Sequence, residues 1–170
     1  EKIRPAVAAL EFVGNAGRAD WGTSLPSRFV NAAPMEIWRM NYPGYGASAG
    51  RARLSSIAPA ARAVFDVMRE ESGDTPILVY GFSLGSTAAL HLAAHREVDG
   101  VILRNPPPLG RIILTRYGWW NLWLAALPVA AQIPRDLWTG RNGRRSTAPA
   151  AFLVSEDDRV VRPYLQRTVY

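Results

Sequence analysis

Short runs of continuously apolar residues alternate along this chain with longer stretches whose apolar positions recur every three or four residues. Residues 6–13 (AVAALEFV) form the first run, ended by Gly14-Asn15-Ala16-Gly17, and read as a buried strand closing in a tight loop. Residues 35–40 read as a second strand, closed by the turn-rich Asn41-Tyr42-Pro43-Gly44-Tyr45-Gly46. Between the two, Gly22 and Pro26 argue against a long helix, and only a short one over 27–33 is predicted. Ser55 or Ser56 can cap the next helix, with Pro59 tolerated in its first turn. Ile57, Ala61, Val64, Phe65 and Met68 then share one helical face, and Gly73 ends it. The run 76–80 (PILVY) is a strand of the kind buried on both faces in a parallel sheet. A helix over 84–96 and strands over 98–103 and 150–154 complete the pattern.

Strands alternating with helices imply a mostly parallel sheet with right-handed crossovers, and so a three-layer α/β/α sandwich. Pro106-Pro107-Pro108 breaks the alternation, an aromatic-rich insertion occupies 109–138, and residues 139–149 read as a loop. The 170 residues show no internal repeat or low-complexity linker, and they suffice for a single domain with a real core.

Composition removes several chemistries. Without cysteine there is no disulfide, thiolate nucleophile or cysteine metal site. The net charge of +6 is nearly all arginine, since Lys2 is the only lysine. The arginines stand singly apart from Arg141, Arg144 and Arg145, and no nucleic-acid-binding motif accompanies them, so nucleic acid is not an expected partner. The longest apolar stretch, 112–133, contains Arg116, Gly118, Asn121, Pro128 and Gln132, too many interruptions for a membrane span. The first residues lack the apolar core of a secretory signal. A cytoplasmic setting, with membrane association as the alternative, is the expectation.

The chemistry-bearing segment is Gly81-Phe82-Ser83-Leu84-Gly85. GxSxG alone is a weak pattern, but here it follows an apolar strand and opens a helix rich in small residues. A nucleophile on a sharp strand-to-helix turn is crowded by its neighbours, so glycine is needed at 81 and 85. The helix N-terminus beyond it offers a positive dipole end to a developing oxyanion. Acyl transfer needs two backbone N–H donors there: one from Leu84, the other from the first loop, at Asn15 or Ala16. An acid that orients a histidine is expected at the end of a later strand, and Ser155-Glu156-Asp157-Asp158 supplies it. Asp158 is the first choice and Asp157 the reserve. His91 and His95 are the only histidines, and both follow Ser83 on one helix, about 12 and 18 Å along its axis. Neither can take the serine proton. Their spacing lacks the glutamate of a zinc helix, because Leu92 stands in its place.

VGNAG, NYPGYGAS, GFSLG and SEDDRVV stand in the order and spacing of the α/β-hydrolase superfamily. The chain most resembles its small serine hydrolases related to protein depalmitoylases and dienelactone-hydrolase-like enzymes. That family writes HGN-A/G-G, D/N-Y-RGYG-S and G-x-x-D-x-x-V, where this chain has Val13, Pro43 and Ser155 at single departures. The resemblance implies an incomplete α/β-hydrolase fold whose first strands would precede Glu1. Its last strand, with the catalytic histidine, would follow Tyr170. It also implies that 109–138 is a cap offering a greasy wall to an acyl chain, or a face that touches a membrane interface. Trp119, Trp120 and Trp123 on the cap, with Tyr42 and Tyr45 near the mouth, are candidate pocket residues. The activity implied is cleavage of an ester or thioester through an acyl-enzyme on Ser83, with no metal or organic cofactor. The fragment shown would be inactive without its histidine. The rival reading is a non-catalytic relative that binds a lipid or protein partner.

Overall fold

A computed structural model of the chain describes residues 5–21, 34–121 and 123–169. The five apolar runs pair as one sheet: β1 (Val7–Phe12), β2 (Met35–Arg39), β3 (Ile77–Phe82), β4 (Gly100–Arg104) and β5 (Ala150–Leu153). They lie in the order β2-β1-β3-β4-β5, and every neighbouring pair is parallel. Parallel neighbours need a crossover. Helix α1 (Leu54–Ser72) carries the chain from β2 past β1 to β3, and α2 (Leu84–Ala93) makes the crossover between the neighbours β3 and β4. The short helix predicted over 27–33 lies outside the described residues.

Alternation along the strands sorts the core. Leu10, Phe12, Ile77 and Val79 join Ala61 and Phe65 of α1 and Ala88 and Leu92 of α2 in one apolar cluster. The residues between them, Ala9, Tyr80 and Ile102, are buried too. The sheet is therefore covered on both faces, which is why PILVY carries no polar stripe. Glu11, on that second face, pairs with Arg39 directly across the β1–β2 ladder.

Two expectations need correction. Helix α1 is capped by Arg53 in extended conformation, not by Ser55 or Ser56, and no side chain satisfies its first N–H groups. Ser56 lies inside the helix, and its hydroxyl donates back to the Arg53 carbonyl at 2.7 Å. Pro59 consequently sits beyond the first turn. Gly73, at φ 54°, does end the helix, its N–H reaching Arg69 O. The second correction is α5 (Thr139–Arg145), formed where a loop was expected. Its TGRNGRR sequence has poor intrinsic propensity. Burial of Thr139 and Asn142, packing on α2 and an Asn142 Nδ2 bond to Asp136 O (2.7 Å) hold it instead.

The insertion folds as α3 (Leu109–Tyr117) and α4 (Ala126–Ala131) with single-turn segments around them, and α6 (Pro163–Gln166) follows β5. From β1 the chain moves outward to β2, then crosses back to β3 on the other side of β1. The carboxyl ends of β1 and β3 thus flank the switch point of the sheet, the place where α/β folds open a crevice for ligands.

Candidate active site

Ser83 stands at that switch point, between the end of β3 and the first turn of α2. Its backbone is held at φ 50°, ψ −120°, a conformation that a residue with a side chain rarely adopts. The surroundings enforce it. Ser83 N donates to Arg104 O and Ser86 N to Ser83 O, each at 2.8 Å, while Ser86 Oγ contacts Gly81 O at 2.9 Å. A Cβ on Gly81 would lie 2.6 Å from Gly85 O and from Ser86 Cα. One on Gly85 would lie 2.2 Å from Phe12 O and 2.8 Å from Val13 O. Helix α2 therefore rests backbone-to-backbone on the end of β1, and only glycine at 81 and 85 permits it.

Leu84 is the first residue of α2, so its N–H has no acceptor one turn back. The loop after β1 reaches the same place. Gly14 packs against Phe82, at 3.1 Å for a Cβ built on it, and Gly17 N closes a turn onto Gly14 O at 3.1 Å. Ala16 has φ 57°, and Asn15 and Ala16 are exposed at the tip. Tyr45 Oη donates to Asn15 Oδ1 at 2.9 Å, tying the loop after β2 to the loop after β1. Tyr42 is a correction. It is buried in the core, its ring parallel to Phe12 and edge-on to Tyr45, with its hydroxyl on Val13 O. Burial pushes its phenol far above the ordinary range. It supports the loop from beneath and does not line a mouth.

Asp158 is partly buried and Asp157 exposed. Both oxygens of Asp158 are committed: Oδ1 accepts from Val160 N (2.8 Å) and Val161 N (2.9 Å), and Oδ2 accepts from Asn105 Nδ2 (2.8 Å). These three donors fix the orientation of the carboxylate. Asn105 went unnoticed in the sequence. Buried at φ 50°, it donates its own N–H to Leu153 O and accepts from Ser155 N through Oδ1 (3.0 Å), locking the end of β4 to that of β5. Its one legible signal was an asparagine at a strand end, a residue that tolerates the left-handed region.

No described residue supplies a base, and Ser83 Oγ has no hydrogen-bond partner among the described residues. His91 is buried on α2 itself, about two turns beyond Ser83. Its Nδ1 must donate to the Asp136 carbonyl (3.1 Å), which leaves Nε2 to accept from Arg62 (2.6 Å). Burial, with His95 stacked 4.3 Å away, pushes it down to about 4. Trp119, Trp120 and Trp123 of the insertion are all exposed, and Trp119 lines a cavity with Arg159 and Val160, next to Asp158 in the chain.

A parallel sheet with a strained serine turn at its switch point, beside a glycine loop, is the arrangement of the α/β-hydrolase fold. Residues 27–166 match the family model described as alpha/beta hydrolase fold, and the chain belongs to that family. It is similar to protein bem46 of Schizosaccharomyces pombe, 24% identical over 161 residues, covering 91% of this chain and 52% of that protein. It is likewise similar to the lysophosphatidylserine lipase ABHD12 of Xenopus tropicalis, 29% identical over 156 residues, covering 84% and 40%. Among solved structures, ferulic-acid-bound Est1E from Butyrivibrio proteoclasticus superposes with a TM-score of 0.73 at 17% identity, over 96% of this chain and 74% of that one. The chain spans about half or less of the length of these curated relatives.

Proposed function

We propose that the protein is a serine hydrolase that cleaves a carboxylic ester or thioester through an acyl-enzyme on Ser83. Ser83 Oγ attacks the carbonyl carbon while its proton passes to a histidine outside these 170 residues, which Asp158 orients. The N–H groups of Leu84 and of Asn15 or Ala16 stabilise the oxyanion. Collapse of the tetrahedral intermediate breaks the bond to the leaving group, which carries the proton away. Water activated by the same base then releases the acid.

The observation that carries this reading is the conformation of Ser83: φ 50°, ψ −120°, held by glycines that tolerate no Cβ. Strain of that kind persists only where surroundings impose it, and here the serine directly precedes a helix N–H that has no acceptor among the described residues. The relatives support a hydrolase, since one is named a lipase for lysophosphatidylserine. One observation favours the non-catalytic reading, that His91 lies more than a turn along α2 from Ser83 and His95 just beyond the end of that helix.

A fluorophosphonate probe separates the two. The intact native protein should be labelled, and Ser83→Ala should lose the label with its turnover of acyl esters, by about a millionfold in kcat. An unlabelled wild type would sink the hydrolase reading. Esters and thioesters of graded chain length would then assign the leaving group and the acyl chain.

A further inference from the structure

The insertion after β4 carries features that acyl transfer does not use. Trp119 and Trp120 are 69% and 64% exposed and Leu124 is 80% exposed, with Leu127 and Val129 also turned to solvent. Single exposed apolar residues are ordinary, but several large ones on one short insertion mark a surface meant to be covered. Helix α3 beside them buries none of its residues. The charge of the insertion is predominantly positive, with Asp136 its one carboxylate, although Glu156, Asp157 and Asp158 directly precede Arg159. From Gly100 to Arg135 the sequence holds Arg104, Arg111, Arg116 and Arg135 and not one carboxylate. At Trp119 the surface dips into a cavity of about 360 Å³, whose wall includes Arg116, Arg159, Arg162 and Tyr164. Among the described residues none of these three arginines has an ion-pair partner. Three cations around one hollow repel one another and draw in an anion.

Two chemistries therefore meet here: indole rings, which settle at the boundary between lipid headgroup and acyl chain, and guanidinium groups, which grip phosphate bidentately. We propose that segment 109–138 docks on an anionic phospholipid bilayer. Trp119, Trp120 and Leu124 enter the interface, and the hollow formed by Arg116, Arg159 and Arg162 receives a lipid phosphate. The hollow adjoins the acid loop, since Val160, which lines it, donates its N–H to Asp158 Oδ1. Docking would bring the lipid surface alongside that loop. Nothing in this needs Ser83 to react, so it can fail while the hydrolase reading stands.

The test is co-sedimentation of the intact protein with vesicles of phosphatidylcholine alone and of phosphatidylcholine mixed with phosphatidylserine, at low and high salt. Binding should require phosphatidylserine, weaken with salt and shift tryptophan emission to the blue. Replacing Arg116, Arg159 and Arg162 together with glutamine should weaken it by about a hundredfold. Trp119→Ser with Trp120→Ser should abolish the emission shift. All five side chains are exposed, so both variants should fold, as circular dichroism would verify. No vesicle binding, or binding that ignores both lipid charge and the arginines, overturns the proposal. So does a thermal shift by inorganic phosphate without vesicle binding, which would make the hollow a site for a soluble phosphate. A dimer in light scattering that the tryptophan variant dissolves would assign the face to a second copy instead.

Discussion

Helices α2 and α3 each spring from the carboxyl end of a central strand, and their fates are opposite. Helix α2 buries every one of its residues and α3 none. The difference arises in the few residues between strand and helix. After β3 the chain turns at once, and Gly81 and Gly85 let the first turn of α2 lie on the backbone of β1. After β4, Asn105 and three prolines carry the chain away from the sheet before a helix can begin. A helix rich in small residues can then be core, while one flanked by tryptophans stays at the surface. The apolar content of a helix does not decide where it lies; the closeness permitted at its root does.

The sharpest way to break that contrast is Gly85→Ala. The added methyl would sit 2.2 Å from the Phe12 carbonyl oxygen, against backbone that cannot swing aside. Either α2 lifts off β1 or β1 bends, and the whole apolar face of α2 is disturbed. We expect a loss of about 4 kcal/mol or more, enough to unfold a marginal domain, read as a collapsed urea midpoint or insoluble expression. A Gly85→Ala protein as stable as wild type would mean that the close approach of α2 to β1 is not what fixes Ser83.

The far end of α2 offers a second, smaller test. His91 is buried there between Arg62, His95 and the Asp136 carbonyl, and burial lowers it to about 4. In the unfolded chain it takes up a proton near 6.5, whereas the folded protein refuses that proton until about 4. Stability is therefore full above pH 6.5 and falls as the pH drops through that window, by about 3 kcal/mol. Urea unfolding across the window should show this loss in the wild type and much less of it in His91→Gln. Equal slopes in the two proteins would place the imidazole in solvent.

The two regions also differ in how far the sequence discloses them. The serine turn was legible because its constraint is local: glycines two residues either side of a serine, between an apolar strand and a run of small residues. Five parallel strands were legible for the same reason. Asn105 was not, because its role depends on a meeting with Ser155 and Asp158, some fifty residues away, that exists only once β4 and β5 pair in register. Tyr42 looked like a rim residue because its neighbours are turn formers, and only its stacking on Phe12 reveals it as core. Helix α5 was hidden by its two glycines, since what holds it is α2 and not its own propensity. The aromatic content of the insertion was plain, but its exposure was not, because burial there depends on partners the local pattern does not name.

The smallest effect probes the exposed side of the contrast. Trp120 is 64% exposed, so replacing it with serine removes little buried area and leaves no cavity. Its neighbour Trp123 differs: its indole covers Gly118, and its Nε1 donates to Leu114 O at 3.2 Å. Trp120→Ser should therefore shift stability by no more than about 0.5 kcal/mol, the range usual for surface positions. Trp123→Ser should cost more, because it vacates the space over Gly118 and leaves the Leu114 carbonyl without that donor. Urea denaturation of both variants measures the gap. If Trp120→Ser proved as costly as Trp123→Ser, the insertion would have to be packed against the body of the protein, and the contrast between α2 and α3 would fail at its exposed end.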